Sequence, residues 1–152
     1  MRNSGIVLIV AGGALAAMLD LMYAFSFYGV RNGVGPERIL QSIASGAMGK
    51  SAYAAGWPAA LLGLALHFLI AIIAAFVYFL AARQVPVLTR QPWLCGAVFG
   101  VLMYGFMNVI VVPLSRFPGT QTFPPVVLVS GLLVHMFLVG VVIAHFSRQA
   151  LR

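Results

Sequence analysis

Acidic residues are almost absent from this chain, which has two Asp or Glu side chains in 152 residues against nine Lys or Arg. Charged residues of either sign make up 7% of the sequence, whereas about 25% is usual for a soluble domain. A surface in contact with water cannot be assembled from so few charges. Because 62% of the residues are hydrophobic, the composition excludes a water-soluble globular protein and indicates that lipid is the solvent.

The basic residues are also few, and none of them belongs to a run. They lie singly near the ends of apolar segments, where Lys and Arg contact lipid headgroups. A nucleic-acid interface requires basic residues that cluster on one face. The sequence therefore excludes nucleic acid as a partner and predicts the lipid bilayer as the principal one.

Cysteine is nearly absent, since Cys95 is the single residue of this type. One cysteine forms no internal disulfide and no CxxC metal or redox motif. The sequence also lacks an HExxH zinc motif, a glycine-rich phosphate loop and a nucleophile with a nearby base. We therefore expect a protein without enzymatic activity and without a bound metal.

Four apolar segments are each long enough to cross a bilayer, which takes about 20 residues of helix. They cover about residues 5–28, 57–82, 93–112 and 125–146. The chain has no room for a separate soluble module, so residues 1–152 are expected to form one transmembrane domain. The predicted fold is all-α, an integral membrane bundle of four transmembrane helices.

The segment between the first two spans, about residues 36–49, predicts a short helix that is too polar to cross the membrane. Pro36 suits the first turn of such a helix. The apolar side holds Ile39, Leu40, Ile43, Ala47 and Met48, and the polar side holds Arg38, Gln41, Ser42 and Ser45. We expect an interfacial amphipathic helix that lies on the membrane surface or folds over the mouth of the bundle.

The distribution of basic residues predicts the orientation of the chain. Four spans place both termini on one side, together with Arg2, Arg83, Arg90, Arg148 and Arg152. Short cytoplasmic loops carry more Lys and Arg than outer loops do. Because Arg83 and Arg90 lie in a short turn, we expect both termini to be cytoplasmic.

Each span is interrupted by an Asp, Asn or His side chain away from its inner end: Asp20, His67, Asn108 and His135. Counted from the outer end of each span at about 1.5 Å per residue, they lie about 8–16 Å deep. Small residues accompany them, and Gly63 and Gly131 each precede a histidine by four positions. Ionisable groups within a membrane normally face the bundle interior. We therefore expect these four side chains to form one internal polar layer.

Three interpretations of this polar layer stay open. The side chains can satisfy one another across helices and lock the register of the bundle. They can instead conduct protons or ions, because Asp and His exchange protons within membranes. His67 and His135 can also be axial ligands of haem b, with Gly63 and Gly131 making room for the macrocycle. A metal ion on Asp20, His67 and His135 is least favoured, because their spacing matches no ligand motif.

Two pairs of short segments resemble each other along the chain. Leu21–Phe25 reads LMYAF and Leu102–Phe106 reads LMYGF, while Gly63–His67 and Gly131–His135 share the pattern GLxxH. Matching segments in the two halves of a membrane protein indicate an internal repeat. We expect two helical hairpins related by duplication.

Gly96 and Gly100 lie four residues apart in the third span. Small residues at this spacing allow another helix to approach closely. We expect this face to pack against a partner, either a second copy of the chain or another subunit of a larger membrane complex.

Three stretches of the chain carry a family resemblance: LQSIASGAMG (40–49), LGLALHFLIA (62–71) and GVLMYGFMNVIVVPLS (100–115). They resemble a family of small four-span inner-membrane proteins of proteobacteria without assigned activity, and more loosely the YagU-type proteins. The resemblance implies a bacterial cytoplasmic membrane and a four-helix architecture, and it carries over no functional residue. We expect a non-enzymatic scaffold or accessory subunit.

Overall fold

The structure, a computed structural model, describes residues 3–152 and is helical, with no strand in that range. Arg2, which contributes to the predicted charge bias, lies outside the described residues. The helices are α1 (Asn3–Asn32), α2 (Pro36–Met48), α3 (Gly56–Gln84), α4 (Pro92–Leu114) and α5 (Pro125–Ala150). A short 3₁₀ segment, Gly49–Tyr53, and a single helical turn, Val87–Arg90, connect them.

Four of these helices, α1, α3, α4 and α5, are long and apolar enough to cross a membrane. This confirms the predicted all-helical class and the number of candidate spans. Each helix is longer than its predicted apolar segment; α1, for example, continues to Asn32, where Gly33 takes a φ of 65° and turns the chain. Glycine adopts this left-handed conformation without strain, so Gly33 sets the boundary with α2.

Both α4 and α5 contain a widened, π-helical turn. In α4 it covers Met107–Val111, immediately before Pro113. Proline lacks an N–H group, and its ring collides with the carbonyl four residues earlier in a regular helix. The wider turn therefore lets α4 continue past Pro113 to Leu114, beyond the predicted end near residue 112. In α5 the widened turn is His135–Gly140.

Helix α1 lies between α3 and α5, and glycines let the three helices approach closely. A Cβ atom on Gly13 would lie 2.7 Å from the Cα of Ile72 in α3. One on Gly12 would lie 2.6 Å from the Cβ of Phe146 in α5. Both distances are shorter than real carbon contacts, so α1 can occupy this position only with glycine at these two sites.

Gly96 and Gly100 face α5 of the same chain, and both are buried. A Cβ on Gly100 would overlap the carbonyl oxygen of His135, and one on Gly96 would lie 2.7 Å from the Cα of Val141. Conversely, a Cβ on Gly140 of α5 would overlap the carbonyl oxygen of Gly96. The prediction that Gly96 and Gly100 pack against a partner is therefore wrong. A glycine face admits any helix, and here α5 of the same chain occupies it.

The bundle has a termini end, which holds the chain termini, and an opposite loop end, which holds α2. The termini end is filled by an apolar core of small and aromatic side chains, including Ile9, Ala75, Phe79 and Ile143. The Tyr78 ring meets Phe99 of α4 with centroids 5.0 Å apart. These contacts close the space between α3 and α4 at the termini end.

Helix α2 packs along the loop-end half of α3. Gly63 makes this possible, because a Cβ there would overlap the backbone carbonyl of Leu40. The face of α2 that is buried includes Gln41 and Ser45, which the sequence pattern assigned to the polar side. Gln41 Nε2 donates to the Glu37 carboxylate at 3.0 Å and to the Gly56 carbonyl at 3.3 Å. Buried polar groups are tolerated when they are hydrogen-bonded in this way.

The connection between α4 and α5 folds back onto α2. The backbone N–H of Arg116 donates to the carbonyl of Gly46 at 2.8 Å. Ser115 Oγ accepts from the N–H of Phe117 at 3.1 Å, which shapes the turn that follows α4. The loop end is therefore covered by α2 and by this connection rather than by apolar core.

Candidate functional site

Asp20, His67 and His135 come from three different helices and meet at the loop end of the bundle. His67 Nε2 lies 3.7 Å from one carboxylate oxygen of Asp20, and His135 Nδ1 lies 3.8 Å from the other. The carboxylate therefore stands between the two imidazoles. These distances suit an ion pair with a charged imidazole, but they are too long for hydrogen bonds.

Each imidazole makes its close contact with a backbone carbonyl instead. His67 Nε2 lies 3.1 Å from the Ala17 carbonyl oxygen in α1, and His135 Nδ1 lies 3.0 Å from that of Gly131. A carbonyl oxygen only accepts, so each of these ring nitrogens carries the proton that it donates. In a neutral ring, the other nitrogen is left as an acceptor.

Asn108, the fourth predicted member of the polar layer, contacts other groups. Its Nδ2 donates to the Tyr104 carbonyl at 2.8 Å, and its Oδ1 accepts from Gln121 Nε2 at 2.9 Å. Gln121 belongs to the connection between α4 and α5. The Asn108 side chain is therefore hydrogen-bonded to the connection between α4 and α5. It nevertheless lines the same space as Asp20.

The polar layer is open rather than closed on itself. The side chains of Asp20, His67 and His135 retain 19%, 19% and 21% of their exposure. A layer that only locks helix register satisfies its polar groups mutually, because an unpaired polar group within a membrane is costly. This arrangement instead presents polar atoms to an adjoining space.

That space consists of two adjoining cavities, which together we call the vestibule. The inner cavity has a volume of about 520 Å³ and the outer cavity about 570 Å³. Seven residues line both: Asp20, Ser42, Ile43, His67, Asn108, Gln121 and His135. Volumes of this size are typical of small-molecule sites, which span roughly 300–1,000 Å³.

The inner cavity lies between α3 and α4 and is predominantly apolar. Its walls include Leu66 and Ile70 of α3 and Met107 and Val111 of α4. It extends toward the termini end as far as Ala74, where the apolar core begins. The polar atoms of Asp20, His67 and His135 therefore border an otherwise apolar space.

The outer cavity is more aromatic and opens toward α2 and the connection between α4 and α5. Tyr23, Tyr28, Tyr104 and Phe123 line it. Arg38 borders it as well, with its guanidinium carbon 3.9 Å from the centroid of the Tyr53 ring. Stacking on an aromatic face stabilises such a cation and holds it in place.

The histidine pair does not fit bis-histidine ligation of haem. A haem plane needs imidazole nitrogens directed into one shared gap. Here the Asp20 carboxylate stands between the rings, and His67 Nε2 is hydrogen-bonded to a carbonyl. The space beside Gly63 is filled by the α2 backbone, and the space beside Gly131 by the Tyr104 ring. The two glycines therefore accommodate parts of this protein rather than a macrocycle.

A metal centre is not formed by these side chains either. Within residues 3–152, no three His, Cys, Asp or Glu side chains are positioned to hold one metal ion. His145, the remaining histidine, donates to the Val141 carbonyl at 2.9 Å and contacts the Trp93 ring. It lies outside the residues that line the vestibule.

Several vestibule residues were not predicted from the sequence. Gln121 lies in a proline-rich connection without periodicity, so no pattern pointed to it. Tyr23 and Tyr104 occupy equivalent positions in the LMYAF and LMYGF segments, and both line the outer cavity. The similarity of these two segments therefore contained a signal for the tyrosines. Tyr23 donates a 2.6 Å hydrogen bond to Ser130, joining α1 to α5.

The vestibule is the feature from which a function has to be inferred, because comparison with known proteins adds no information. No protein-family model, no curated protein and no solved structure matches this chain.

Proposed function

We propose that this chain is a non-enzymatic membrane protein that binds a small molecule with an apolar tail in the vestibule. Its place would be the bacterial cytoplasmic membrane, where it would act as an accessory subunit of a complex or as a homo-oligomer. The vestibule combines a ligand-sized volume with apolar walls and a few polar groups. This combination is the usual character of a small-molecule site.

The accessible carboxylate of Asp20 carries the proposal. It lines both cavities and lies 3.7 and 3.8 Å from two imidazoles. An Asp near the middle of a membrane helix costs about 2.5–3.5 kcal/mol on insertion scales. That cost is offset poorly by ion pairs of this length, so the group is better explained by a ligand than by bundle stability.

Conduction of protons or ions is the weaker alternative. A conducting pathway needs polar groups or water from one side of the membrane to the other. The termini end is instead packed with apolar side chains, and the Tyr78 hydroxyl there is engaged by the Leu88 carbonyl at 3.0 Å. This favours a binding site with one entrance over a pore.

Filling the inner cavity should abolish binding of an apolar probe. Val111 lines the cavity, so Val111→Phe would place a ring inside it. Aminoanthracene, an uncharged fluorophore at neutral pH, should bind the purified wild-type protein in detergent micelles with increased fluorescence. We expect the affinity of Val111→Phe to be at least about tenfold lower, because a filled pocket loses the apolar contacts.

Val109→Phe is the matched control, because Val109 lies two positions away on α4 and is 74% exposed outside the vestibule. This variant should bind aminoanthracene like the wild type. Equal probe binding by both variants, or none by the wild type, would remove the proposal.

We also propose that the loop end faces the outer side of the membrane and that α2 lies at that interface. The charge bias of the termini end supports this orientation, as does the resemblance to inner-membrane proteins. Trp57 and Trp93 are both well exposed near the ends of α3 and α4, where interfacial aromatic residues are expected.

Cysteine labelling in intact cells tests this orientation. Cys95 is the only native cysteine, so Cys95→Ala gives a background for single introduced cysteines. A membrane-impermeant maleimide should label Thr120→Cys in the α4–α5 connection before lysis, and Arg152→Cys only after lysis. The opposite order of labelling would reverse the orientation, and labelling of both before lysis would mean that α5 does not cross the membrane.

A further inference from the structure

The vestibule contains one acidic group, Asp20, next to two imidazoles. The Asp20 carboxylate receives no hydrogen bond within the described residues, although both of its oxygens face an imidazole. His67 and His135 each donate through one ring nitrogen to a carbonyl. Neither of the ring nitrogens that face Asp20 therefore hydrogen-bonds to the carboxylate. A ligand that satisfies the carboxylate has to supply donors.

Among the described residues, no side-chain donor that lines the vestibule hydrogen-bonds to Asp20, and several are engaged elsewhere. Gln121 Nε2 donates to Asn108, and Asn108 Nδ2 donates to the Tyr104 carbonyl. The Tyr23 hydroxyl donates to Ser130. Arg38, the cation that borders the outer cavity, is stacked on Tyr53 of the 3₁₀ segment after α2. The acidic group is therefore left for a partner from outside the chain.

The remaining walls fit a cation that carries an apolar tail. Tyr28, Tyr104 and Phe123 present aromatic rings to the outer cavity, and aromatic faces attract ammonium groups. The inner cavity continues past Asp20 along Ile70 and Val111. An alkyl chain there would be in contact with side chains as apolar as lipid.

We propose that the ligand of the vestibule is a protonated primary amine with an aliphatic tail, with its ammonium group at Asp20. This inference rests on the proposed binding function. An ammonium group is a cation with three N–H donors and no acceptor, which complements a carboxylate that receives no hydrogen bond from the described residues. The tail lies in the inner cavity between α3 and α4.

Displacement of aminoanthracene by three probes of equal chain length tests the charge preference. Dodecylamine, dodecanol and dodecanoate are compared on the wild-type protein in neutral, uncharged detergent micelles. We expect dodecylamine to displace the fluorophore at a concentration at least about tenfold below that of dodecanol, as a hydrogen-bonded charge pair predicts. Dodecanoate should be the weakest of the three, because its carboxylate would face that of Asp20.

Two variants assign the preference to one carboxylate. In Asp20→Asn, dodecylamine and dodecanol should displace aminoanthracene at similar concentrations. Glu37→Gln, which changes the only other acidic residue of the chain, should leave the tenfold preference in place. The wild-type comparison requires no variant, so it decides the inference even where Asp20→Asn does not fold.

The outcomes separate this inference from the function on which it rests. If aminoanthracene binds but dodecanol competes as well as dodecylamine, the vestibule is a binding site and the amine assignment is wrong. Strongest competition by dodecanoate would also overturn the inference and point to Arg38 as the recognition group. Absence of aminoanthracene binding would reject the proposed function itself.

Discussion

Replacing Gly100 with valine should separate α4 from α5 and destabilise the protein by about 3 kcal/mol, the upper part of the range for overpacked sites. A Cβ at this position would overlap the His135 carbonyl and lie 2.7 Å from the Cα of Met136. Both atoms belong to the backbone, so a change of rotamer cannot relieve the overlap. Unfolding of the purified protein by heat or by SDS measures the loss.

Gly105→Val is the control for this prediction. Gly105 lies on the same helix, and a Cβ there would have no neighbour within 4 Å. Both variants replace glycine by the same β-branched residue, so their intrinsic helix propensities change equally. Gly105→Val should unfold close to the wild type. Indistinguishable stabilities of the two variants would show that Gly100 is not a contact between the helices.

Replacing Gly63 with valine should detach α2 from α3 and open the vestibule. The new Cβ would overlap the Leu40 carbonyl, and the Ala44 backbone nitrogen lies 3.2 Å from its position. Overpacking of this kind costs about 1–3 kcal/mol. Because Ser42 and Ile43 line both cavities, aminoanthracene binding should weaken together with α2 packing.

Thiol accessibility reports the detachment of α2 directly. Ala44 is fully buried, so Ala44→Cys in a Cys95→Ala background should react slowly with a maleimide. Adding Gly63→Val should raise the labelling rate by about ten- to hundredfold, since each 1.4 kcal/mol corresponds to about tenfold in population. Adding Gly105→Val instead should leave the rate unchanged. An equally slow reaction in the Gly63→Val protein would mean that α2 does not depend on this contact.

Local patterns in the sequence determined the class of the protein and the placement of its helices. Apolar length and the near absence of charge predicted four long helices, and the structure has them. Proline and glycine lie at the ends of helices. Gly33, for example, turns the chain immediately after α1. Helix α4 continues past Pro113, beyond the apolar segment predicted to end near residue 112, because a widened turn accommodates the missing hydrogen bond. Whether such a widened turn forms depends on the backbone conformation around the proline. The identity of the residue alone does not specify that conformation.

The faces of the helices were harder to predict because glycines suit any neighbour. Gly63, Gly96 and Gly100 all offered room for another helix. In the structure α2 occupies the first and α5 the other two, so none of them is available to haem or to a partner. Which helix packs against a given glycine depends on the packing of the whole bundle. Each close contact between two helices limits the positions that the other helices can take.

The sequence by itself determined that this chain is a set of apolar helices, each interrupted by an Asp, Asn or His side chain. Hydropathy and periodicity are properties of consecutive residues, so they can be recognised without knowing the fold. Only the tertiary structure decided that Asp20 lies between His67 and His135, that Asn108 is held by Gln121, and that a vestibule adjoins them. These relations join residues that are distant along the chain. They depend on how each helix is rotated and how closely it approaches its neighbours, which the glycine contacts settle jointly.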